Sequence, residues 1–436
     1  MQINLKYGRG IVPVNVPDDS IIYNSNYPKN NKSAGEILQD ALMNPSQGFS
    51  LDNAMSKRKK GKVVIVVSDF TRPIPYKFIL PSLLKEIENI NVKKEEILIL
   101  IATGMHRVSS ISERIEMFGE EIVNNYNIID HNAEDETNLK KLDGLSWSGL
   151  PVSLNKHYIE AGFRIVTGLV EPHFMAGFSG GRKSVCPGIA SLDAVRNFHG
   201  FDFLDHPNAK TACLKDNPLH EEALSVAHLA PADYAVHIVL DEQKTVNHII
   251  CGDLFHAHEE AVEYVKACCC PVVDKEADLV LTSSGGYPLD ATFYQCVKGI
   301  VNTLPAVKEN GMIICLGSCS EGIGSEEYAE TMKKYSGRSE EFIKDISERQ
   351  VFIKDQWEFQ VHIRALRKLG EENLHFFTSG IKKDELGSLS VNPYALSEAR
   401  IQQKVQSLID KYVANKEVIA VLSEGPYCSP ISEDRL

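Results

Sequence analysis

The sequence predicts an α/β protein built from two Rossmann-like domains with mostly parallel sheets. Short runs of Val, Ile and Leu alternate with helical patterns along the chain, which is typical of βαβ units. The runs are nearly continuous in apolar residues, as expected for strands that helices cover on both faces. The chain of 436 residues also exceeds the usual size of one domain.

The strand pattern indicates where the two domains meet in the chain. A break at residues 268–276, with Pro271 and a charged cluster after it, precedes a new strand and helix. We therefore expect an N-terminal domain over residues 1–270, completed by residues 407–436, and a C-terminal domain over residues 276–406. The predicted strands lie at residues 62–67, 96–101, 163–166, 277–281, 311–316, 374–378 and 417–422.

The amino-acid composition limits the kinds of binding partner that we expect for this protein. The formal net charge of -13 offers no basic surface for a phosphate backbone, so we expect a small soluble ligand and no nucleic-acid partner. No apolar run approaches the roughly 18 residues that a membrane span needs, and the first residues lack a basic region followed by an apolar stretch. We expect a cytoplasmic protein with no membrane partner and reduced thiols.

Polar side chains follow the predicted strands, at the carboxyl end of each. In open α/β sheets this is the edge where ligands bind. We expect these residues to line an active-site cleft between the two domains. The candidates, in chain order, are Asp69, Arg72, His106, His173, Lys183, Tyr294, Gln295 and Lys298.

A glycine-rich segment around Lys183 is the most unusual local pattern. Gly180 and Gly181 would let the backbone approach an anion, and Arg182 and Lys183 could supply positive charge. The segment is not a standard P-loop, because Arg182 stands where a glycine should precede the lysine. By itself the pattern fits an anion site and a ligand-free glycine turn about equally well.

Three histidines stand on or near the predicted loops. Imidazole can transfer a proton near neutral pH or bind a transition metal, so His106, His173 and His199 are candidates for both roles, and the residues alone do not decide between them. Arg72 has the planar donor pair that suits a carboxylate, and a surface ion pair is the alternative. Asp290 is predicted to cap a helix that presents Tyr294 and Lys298 on one face.

The combined motifs resemble the nickel-dependent lactate racemase family, whose members racemise or epimerise 2-hydroxy acids. The strongest motif is Glu-Pro-His-Phe-Met-Ala-Gly-Phe-Ser-Gly-Gly-Arg-Lys-Ser at 171–184. Further matching pieces occur in the same order: Ser-Asp-Phe-Thr-Arg-Pro at 68–73, Ala-Thr-Gly-Met-His-Arg at 102–107, Gly-Gly-Tyr-Pro-Leu-Asp at 285–290, Tyr-Gln-Cys-Val-Lys-Gly at 294–299 and Asp-Gln-Trp at 355–357.

The resemblance implies a cofactor and a role for each matching residue. The family's cofactor is a nickel-pincer pyridinium mononucleotide, which Lys183 would anchor covalently through a thioamide and whose nickel His199 would ligate. His106 and His173 would be the two acid/base residues. The other cofactor contacts would be Asp69, Gly180, Gly181, Arg182 and Tyr294, and the substrate contacts would be Arg72, Gln295, Lys298 and Trp357. Cofactor-biosynthesis enzymes would be needed for activation.

Departures from the family pattern leave the substrate open. Phe70, Met175 and Cys186 stand where the family pattern has other residues, so the expected substrate is not limited to lactate and includes related 2-hydroxy acids. Two alternative functions remain. A nucleotide-dependent phosphotransferase would use the glycine-rich loop, and a non-catalytic cofactor carrier would keep Lys183 and His199 without needing two further histidines.

Overall fold

The computed structural model describes residues 1–349, 352–415 and 417–432, which divide into two compact units. Each unit is named after one of its residues. The Lys183 unit comprises Tyr27–His199 and Asn208–Lys266, and the Tyr294 unit comprises Met1–Asn26, Gly200–Pro207 and Ala267–Leu436.

The elements of both units are numbered together along the chain. The strands are β1 (Gln2–Tyr7), β2 (Gly10–Asn15), β3 (Ile21–Tyr23), β4 (Val63–Ser68), β5 (Ile97–Ala102), β6 (Asn127–Asp130), β7 (Leu139–Lys141), β8 (Ser153–Asn155), β9 (Phe163–Leu169), β10 (Pro172–His173), β11 (Gly177–Phe178), β12 (Tyr234–Leu240), β13 (Val246–Gly252), β14 (Val272–Val273), β15 (Ala277–Ser283), β16 (Val307–Leu316), β17 (Leu374–Thr378), β18 (Asn392–Ala395), β19 (Ile419–Leu422) and β20 (Ile431–Ser432). The helices are α1 (Ala34–Met43), α2 (Leu51–Met55), α3 (Tyr76–Asn89), α4 (Ile111–Phe118), α5 (Glu120–Asn125), α6 (Lys156–Ile159), α7 (Leu192–Phe198), α8 (Phe201–Asp205), α9 (Pro218–Leu229), α10 (Leu254–Cys269), α11 (Phe293–Asn302), α12 (Glu326–Lys334), α13 (Ser339–Arg349), α14 (Gln356–Leu369), α15 (Lys383–Leu386) and α16 (Glu398–Ala414).

The main sheet of the Lys183 unit has the strand order β13-β12-β9-β4-β5-β6. Its strands pair in parallel except for the antiparallel edge pair β12 and β13. The chain moves outward from β4 through β5 to β6 and, on the other side, from β9 to β12. The strand order therefore reverses between β4 and β9, which is where open α/β sheets bind their ligands.

The main sheet of the Tyr294 unit has the order β18-β17-β16-β15-β19-β3, with every adjacent pair parallel. The predicted fold class, two α/β units with mostly parallel sheets, is confirmed. Central strands such as β4, β5 and β17 are buried along nearly their whole length, as expected for strands that are covered on both faces.

One part of the expected domain division is wrong. Residues 407–436 were expected to complete the N-terminal domain, but β19 pairs in parallel with β15, with Leu279 opposite Ile419. This segment and β3 of the amino-terminal residues belong to the Tyr294 unit. An apolar run predicts a buried strand, but it does not reveal which sheet the strand joins, because strand pairing depends on contacts distant in sequence.

Each unit has its own hydrophobic core. In the Lys183 unit, apolar residues of β4, β5, β9 and β12 pack against α1 and α3. In the Tyr294 unit, apolar residues of β15, β16 and β19 pack with α16 and with the β1–β2 hairpin. In the described part of the chain, no helix combines the length and the apolar character needed to cross a bilayer.

Candidate functional site

Three predicted site residues of the Lys183 unit follow adjacent strands of the main sheet. Asp69 comes directly after β4, His106 follows β5 by a short loop, and His173 lies just beyond β9. The strand order β9-β4-β5 places these loops side by side at one edge of the sheet. Parallel pairing along a twisted sheet thus brings together residues that are about a hundred positions apart in sequence.

Asp69 and His106 form a close pair. His106 Nδ1 lies 2.6 Å from Asp69 Oδ2, and Asp69 Oδ1 accepts hydrogen bonds from Thr71 Oγ1 at 2.6 Å and from Thr71 N at 3.3 Å. Burial raises the pKa of Asp69, but the hydrogen bonds and the positive charges of His106 and Arg72 outweigh it, so the net shift is downward. Because an ionised carboxylate only accepts hydrogen bonds, Nδ1 of His106 donates, and in the neutral ring Nε2 carries the lone pair.

This pairing changes the expectation for Asp69. We predicted it as a cofactor contact, but both of its carboxylate oxygens bond to protein groups, and its side chain is only 4% exposed. Thr71, which completes the arrangement, was not predicted. The Ser-Asp-Phe-Thr sequence gave a signal, because an Asp whose side chain accepts from the residue two positions later is a common turn motif.

His173 and Lys183 lie against each other on the glycine-rich loop. His173 Nδ1 accepts hydrogen bonds from the backbone N–H groups of Met175 and Ala176, each at 3.3 Å. His173 Nε2 faces Lys183 Nζ at 3.3 Å, and the ammonium nitrogen also lies 5.0 Å from the centre of the Phe198 ring. The ten-residue separation in sequence closes because β10 and β11 form a short antiparallel pair.

Gly180 and Gly181 allow the backbone of the loop to pack closely against neighbouring residues. Gly180 and Gly181 have φ of 76° and 53°, values that favour glycine. A Cβ at Gly180 would lie 2.7 Å from Val170 Cγ2, and one at Gly181 would lie 2.5 Å from His258 Cδ2. The loop therefore needs glycine here for steric reasons, whether or not a ligand is bound.

Arg182 is buried, and its guanidinium fastens the loop from within. Its Nη2 donates to the carbonyl oxygens of Ala176 at 3.0 Å and Phe178 at 3.1 Å, and its Nη1 lies 3.0 Å from His258 Nε2. Burial lowers its pKa to about 9. We predicted Arg182 as a cofactor contact, but its guanidinium forms hydrogen bonds within the protein. A guanidinium can donate to several carbonyl oxygens at once, which an apolar side chain cannot do.

His199 ends α7 and is held as a neutral ring. Its Nδ1 donates to the carbonyl oxygen of Val195 at 2.9 Å, which leaves the lone pair on Nε2. Its pKa is lowered to about 4, mainly by burial, with a smaller contribution from the positive charges of Lys183 and His106; the hydrogen bond to Val195 opposes this shift.

Arg72 keeps a partly exposed guanidinium next to this group. Its Nη1 lies 3.9 Å from Glu171 Oε1, and the two side chains are 35% and 33% exposed. Such a long, solvent-exposed ion pair contributes little stability, so the guanidinium can turn toward an anionic ligand. Both interpretations of Arg72 from sequence, carboxylate clamp and surface ion pair, are compatible with this contact.

Three of the four predicted site residues of the Tyr294 unit lie on α11, and Trp357 lies on α14. Seven of the ten residues of α11 are buried, and the three that are not are Tyr294, Gln295 and Lys298. Lys298 Nζ donates to Gln295 Oε1 at 2.6 Å. The predicted cap was wrong: Thr292 accepts from the backbone N–H of Gln295, whereas Asp290 Oδ2 accepts from the backbone N–H groups of Gly8 and Ser318.

Tyr294 and Trp357 belong to one hydrogen-bonded group. Trp357 Nε1 donates to Tyr294 Oη at 2.9 Å, and Tyr294 Oη donates to Asp355 Oδ1 at 3.5 Å. Ser325 Oγ donates to Asp355 Oδ2. Burial, followed by the charges of Glu358 and Asp355, raises the pKa of Tyr294 well above its ordinary value. Tyr294 therefore keeps its proton and acts as a hydrogen-bonding group.

Glu358 is a residue that the sequence reasoning missed. Its side chain is fully buried, and neither carboxylate oxygen has a hydrogen-bond partner among the described residues. Burial raises its pKa to about 8, and the nearby charge of Lys298 opposes that shift. Apart from its position directly after the Asp-Gln-Trp motif, no sequence signal marked it.

Comparison with known proteins identifies the family. The model of the lactate racemase N-terminal domain matches residues 7–212, and that of the lactate racemase C-terminal domain matches residues 272–425. The chain belongs to the lactate racemase family. It is therefore an isomerase, a racemase, and members of this family use a nickel cofactor.

Characterised relatives extend the match to most of the lactate racemase chain. A lactate racemase from Thermoanaerobacterium thermosaccharolyticum is 36% identical over 369 residues, which cover 84% of this chain and 85% of the relative. One from Lactiplantibacillus plantarum is 34% identical over 370 residues, covering 84% and 86%. The structure of the lactate racemase apoprotein from T. thermosaccharolyticum matches with a TM-score of 0.88 at 32% identity, covering 99% of this chain and 100% of that one. A protein structure from Thermotoga maritima, 18% identical with a TM-score of 0.67, covers 94% of this chain and 100% of its own and shares the fold.

The side chain of His199 in this racemase has the chemistry of a nickel ligand. His199 offers an unprotonated Nε2 whose ring is oriented by its Nδ1–H bond to a carbonyl, as is usual for metal-bound histidine. Imidazole is a suitable ligand for nickel. Among the described residues, no three His, Cys, Asp or Glu side chains are grouped to hold a metal by themselves.

Proposed function

We propose that the chain inverts the configuration at the carbinol carbon of a 2-hydroxy acid, lactate or a related compound. The observation that carries this proposal is the gathering of two histidines in different hydrogen-bonding states at one sheet edge. His106 is paired with Asp69, and His173 lies 3.3 Å from Lys183. The names of the two relatives, lactate racemases, support the substrate class.

The cofactor we propose is the nickel-pincer pyridinium nucleotide, joined to Lys183 and ligated at nickel by His199. Bound there, it would supply a hydride acceptor and donor for the carbinol carbon. A carbinol C–H is too weakly acidic for an imidazole to deprotonate directly, so removal as hydride suits the chemistry. Met175 and Cys186 are buried and Phe70 lies under Arg107, so their effect on substrate choice would act through packing.

The side chains of the Lys183 unit would handle the proton of the substrate hydroxyl. His106 Nε2 would accept it, and the resulting imidazolium would be stabilised by Asp69, whose carboxylate is already bonded to Nδ1. His173 would serve the opposite face of the planar 2-oxo acid. Two histidines acting on opposite faces are what inversion in both directions requires.

The remaining predicted residues would orient the substrate. Arg72 provides a guanidinium suited to a carboxylate, and Lys298 provides an ammonium held by Gln295. Trp357 would line the pocket with its ring, positioned by the bond to Tyr294. Holding the carboxylate while the acyl group turns would keep the intermediate bound.

The alternatives have less support. A phosphotransferase needs backbone N–H groups open to phosphate, but Gly181 packs against His258 and the Arg182 guanidinium is bonded to loop carbonyls. A non-catalytic carrier would have no use for a buried carboxylate dedicated to His106. Magnesium-dependent ATP binding, measured by calorimetry, would favour the phosphotransferase.

The test is to co-produce the protein with the cofactor-making enzymes and measure its intact mass and its activity. We expect the mass of one nucleotide on the wild-type chain, none on Lys183→Ala, and inversion of a 2-hydroxy acid in a chiral screen. Wild-type protein that gains no mass and inverts none of the acids would refute the proposal.

A further inference from the structure

The Lys183 unit contains a cavity of about 270 Å³ that is lined by the first two turns of α9 and of α10. Arg182 of the glycine-rich loop joins these two helices in lining it. Apart from Arg182, no lining residue is among those assigned above to cofactor, substrate or catalysis. A cavity of roughly 150 Å³ can hold benzene, so this one has room for a small organic molecule.

The cavity has a buried inner part and a mouth at the protein surface. Among its lining residues, Arg182 and His258 are buried, with exposed fractions of 2% and 4%. Lys215, which precedes α9, and Glu259 on α10 are exposed. A ligand can therefore enter from solvent and reach the guanidinium of Arg182.

Two nitrogen atoms of the lining residues have unused hydrogen-bonding capacity. Arg182 Nε and His220 Nδ1 are buried, and neither has a hydrogen-bond partner among the residues that the structure describes. The other two nitrogens of the guanidinium already contact His258, Ala176 and Phe178. Since leaving a buried polar group without a partner is unfavourable, a polar group of a ligand at this place would be stabilised.

The charge of Arg182 favours an anion over a neutral ligand. Within the described part of the chain, no carboxylate forms an ion pair with it, although the charge of Glu221 acts on it from a distance. A buried charge is normally compensated by a partner of opposite sign. Glu221 and Glu259 also line the cavity, with Lys215 as the one exposed cation, so a doubly charged anion such as phosphate would be repelled.

The remaining lining residues are apolar. We call them the apolar wall, which consists of Leu214, Leu224, Leu254 and Phe255. Such side chains bind a hydrocarbon group by removing it from water. The cavity thus combines one buried cation with an apolar surface, which suits a ligand that has one negative charge and a short hydrocarbon chain.

We propose that this cavity binds a small monocarboxylate, with its carboxylate on Arg182 and His220 and its hydrocarbon chain against the apolar wall. The proposal does not depend on the racemase activity proposed above, because the binding needs neither cofactor nor substrate. Arg182 also donates to the carbonyl oxygens of Ala176 and Phe178, in the loop that carries Lys183. A ligand that binds only the folded protein should therefore raise its melting temperature.

The first experiment titrates cofactor-free protein, with methyl-labelled leucine, with butyrate and follows the methyl signals by NMR. Substitution of Leu214, Leu224 and Leu254 by methionine, one at a time, identifies their signals. We expect these signals to shift saturably with a dissociation constant on the order of millimolar. Butyramide, the uncharged analogue of similar shape, and sodium chloride at equal ionic strength should shift them little.

Two outcomes of this titration would overturn the proposal. In one, butyrate leaves the three cavity signals in place or shifts only leucines elsewhere, which would place any binding outside the cavity. In the other, butyramide or phosphate binds at least as tightly as butyrate, which would show that the cavity does not select a single negative charge.

The second experiment measures butyrate binding by calorimetry in two matched pairs of variants. Leu224→Trp fills the cavity and should abolish binding, whereas Leu145→Trp, at an exposed leucine outside the cavity, should retain it. Glu259→Gln removes a repelling charge and should tighten binding about twofold or more, whereas Glu263→Gln, one turn further along α10 and not in the lining, should leave it unchanged. Equal effects within the glutamate pair would contradict the proposal even if Leu224→Trp fails to fold.

Discussion

The pair Asp69–His106 allows a quantitative prediction from Asp69→Asn. The change keeps the size of the side chain and removes the charge that faces His106 Nδ1 at 2.6 Å. A hydrogen bond to a charged group contributes about 1.5–3 kcal/mol. If that contribution is present when His106 has taken the proton, its loss lowers kcat roughly 10- to 150-fold. The asparagine amide can also donate to Nδ1, which would favour the tautomer with no lone pair on Nε2.

The assay is racemisation by cofactor-loaded protein, followed by chiral chromatography, with loading checked by intact mass. Asp278→Asn is a suitable control because Asp278 is also paired, with Lys308 Nζ at 2.6 Å, but lies at the amino end of β15. We expect the control to retain wild-type kcat. Undiminished kcat in fully loaded Asp69→Asn would refute the role we assign to the carboxylate.

A stability measurement on the same variant checks the electrostatics independently. The folded-state pKa of Asp69 is lowered, so its ionisation stabilises the fold above its unfolded pKa, and this contribution is lost as pH falls through the folded pKa. Asp69→Asn should therefore lose less stability than the wild type on acidification. An identical acid-side decline in the two proteins would contradict the lowered pKa.

Three further predictions concern other residues. His199→Ala should lower the nickel retained per chain while Lys183 still takes up the nucleotide; unchanged nickel by metal analysis would exclude His199 as ligand. Arg182→Met should lower the free energy of unfolding by about 2–4 kcal/mol, measured with urea, because the carbonyls of Ala176 and Phe178 lose a buried donor. The folded pKa of Glu358 is raised to about 8, so the wild type should lose stability as pH rises from about 5 to 8, whereas Glu358→Gln has no carboxyl group to ionise. The variant should therefore gain stability relative to the wild type by up to about 1.4 kcal/mol per pH unit. An equal change of melting temperature with pH in the two proteins would contradict this prediction.

The strands of the two central sheets could be predicted because burial on both faces leaves a direct trace in sequence. The run predicted at 62–67 corresponds to β4 at Val63–Ser68, and that at 374–378 coincides with β17. Strands at the edge of a sheet, or near the carboxyl end of the chain, were harder to predict. β12 and β13 were missed, and β19 was assigned to the wrong domain, because strand pairing is decided by contacts that local pattern does not record.

For the candidate site, the sequence indicated which residues carry chemistry but not their partners. Lys183, His173 and His199 stand out by type and motif, but the 3.3 Å approach of Lys183 to His173 depends on the β10–β11 pair. Arg182 shows the limit of such reasoning. Its charge in a glycine-rich loop suggested a ligand, whereas burial and three hydrogen bonds make it part of the scaffold.

The amino-acid sequence by itself determined the α/β class, the strand-end location of the polar residues and, through its motifs, the racemase family. Only the tertiary structure decided the hydrogen-bonding state of each histidine, with Asp69 bonded to Nδ1 of His106 and backbone N–H groups bonded to Nδ1 of His173. The physical reason is that side-chain type follows from local sequence, whereas the tautomer of an imidazole depends on which donor or acceptor the folded chain brings within about 3 Å of each ring nitrogen.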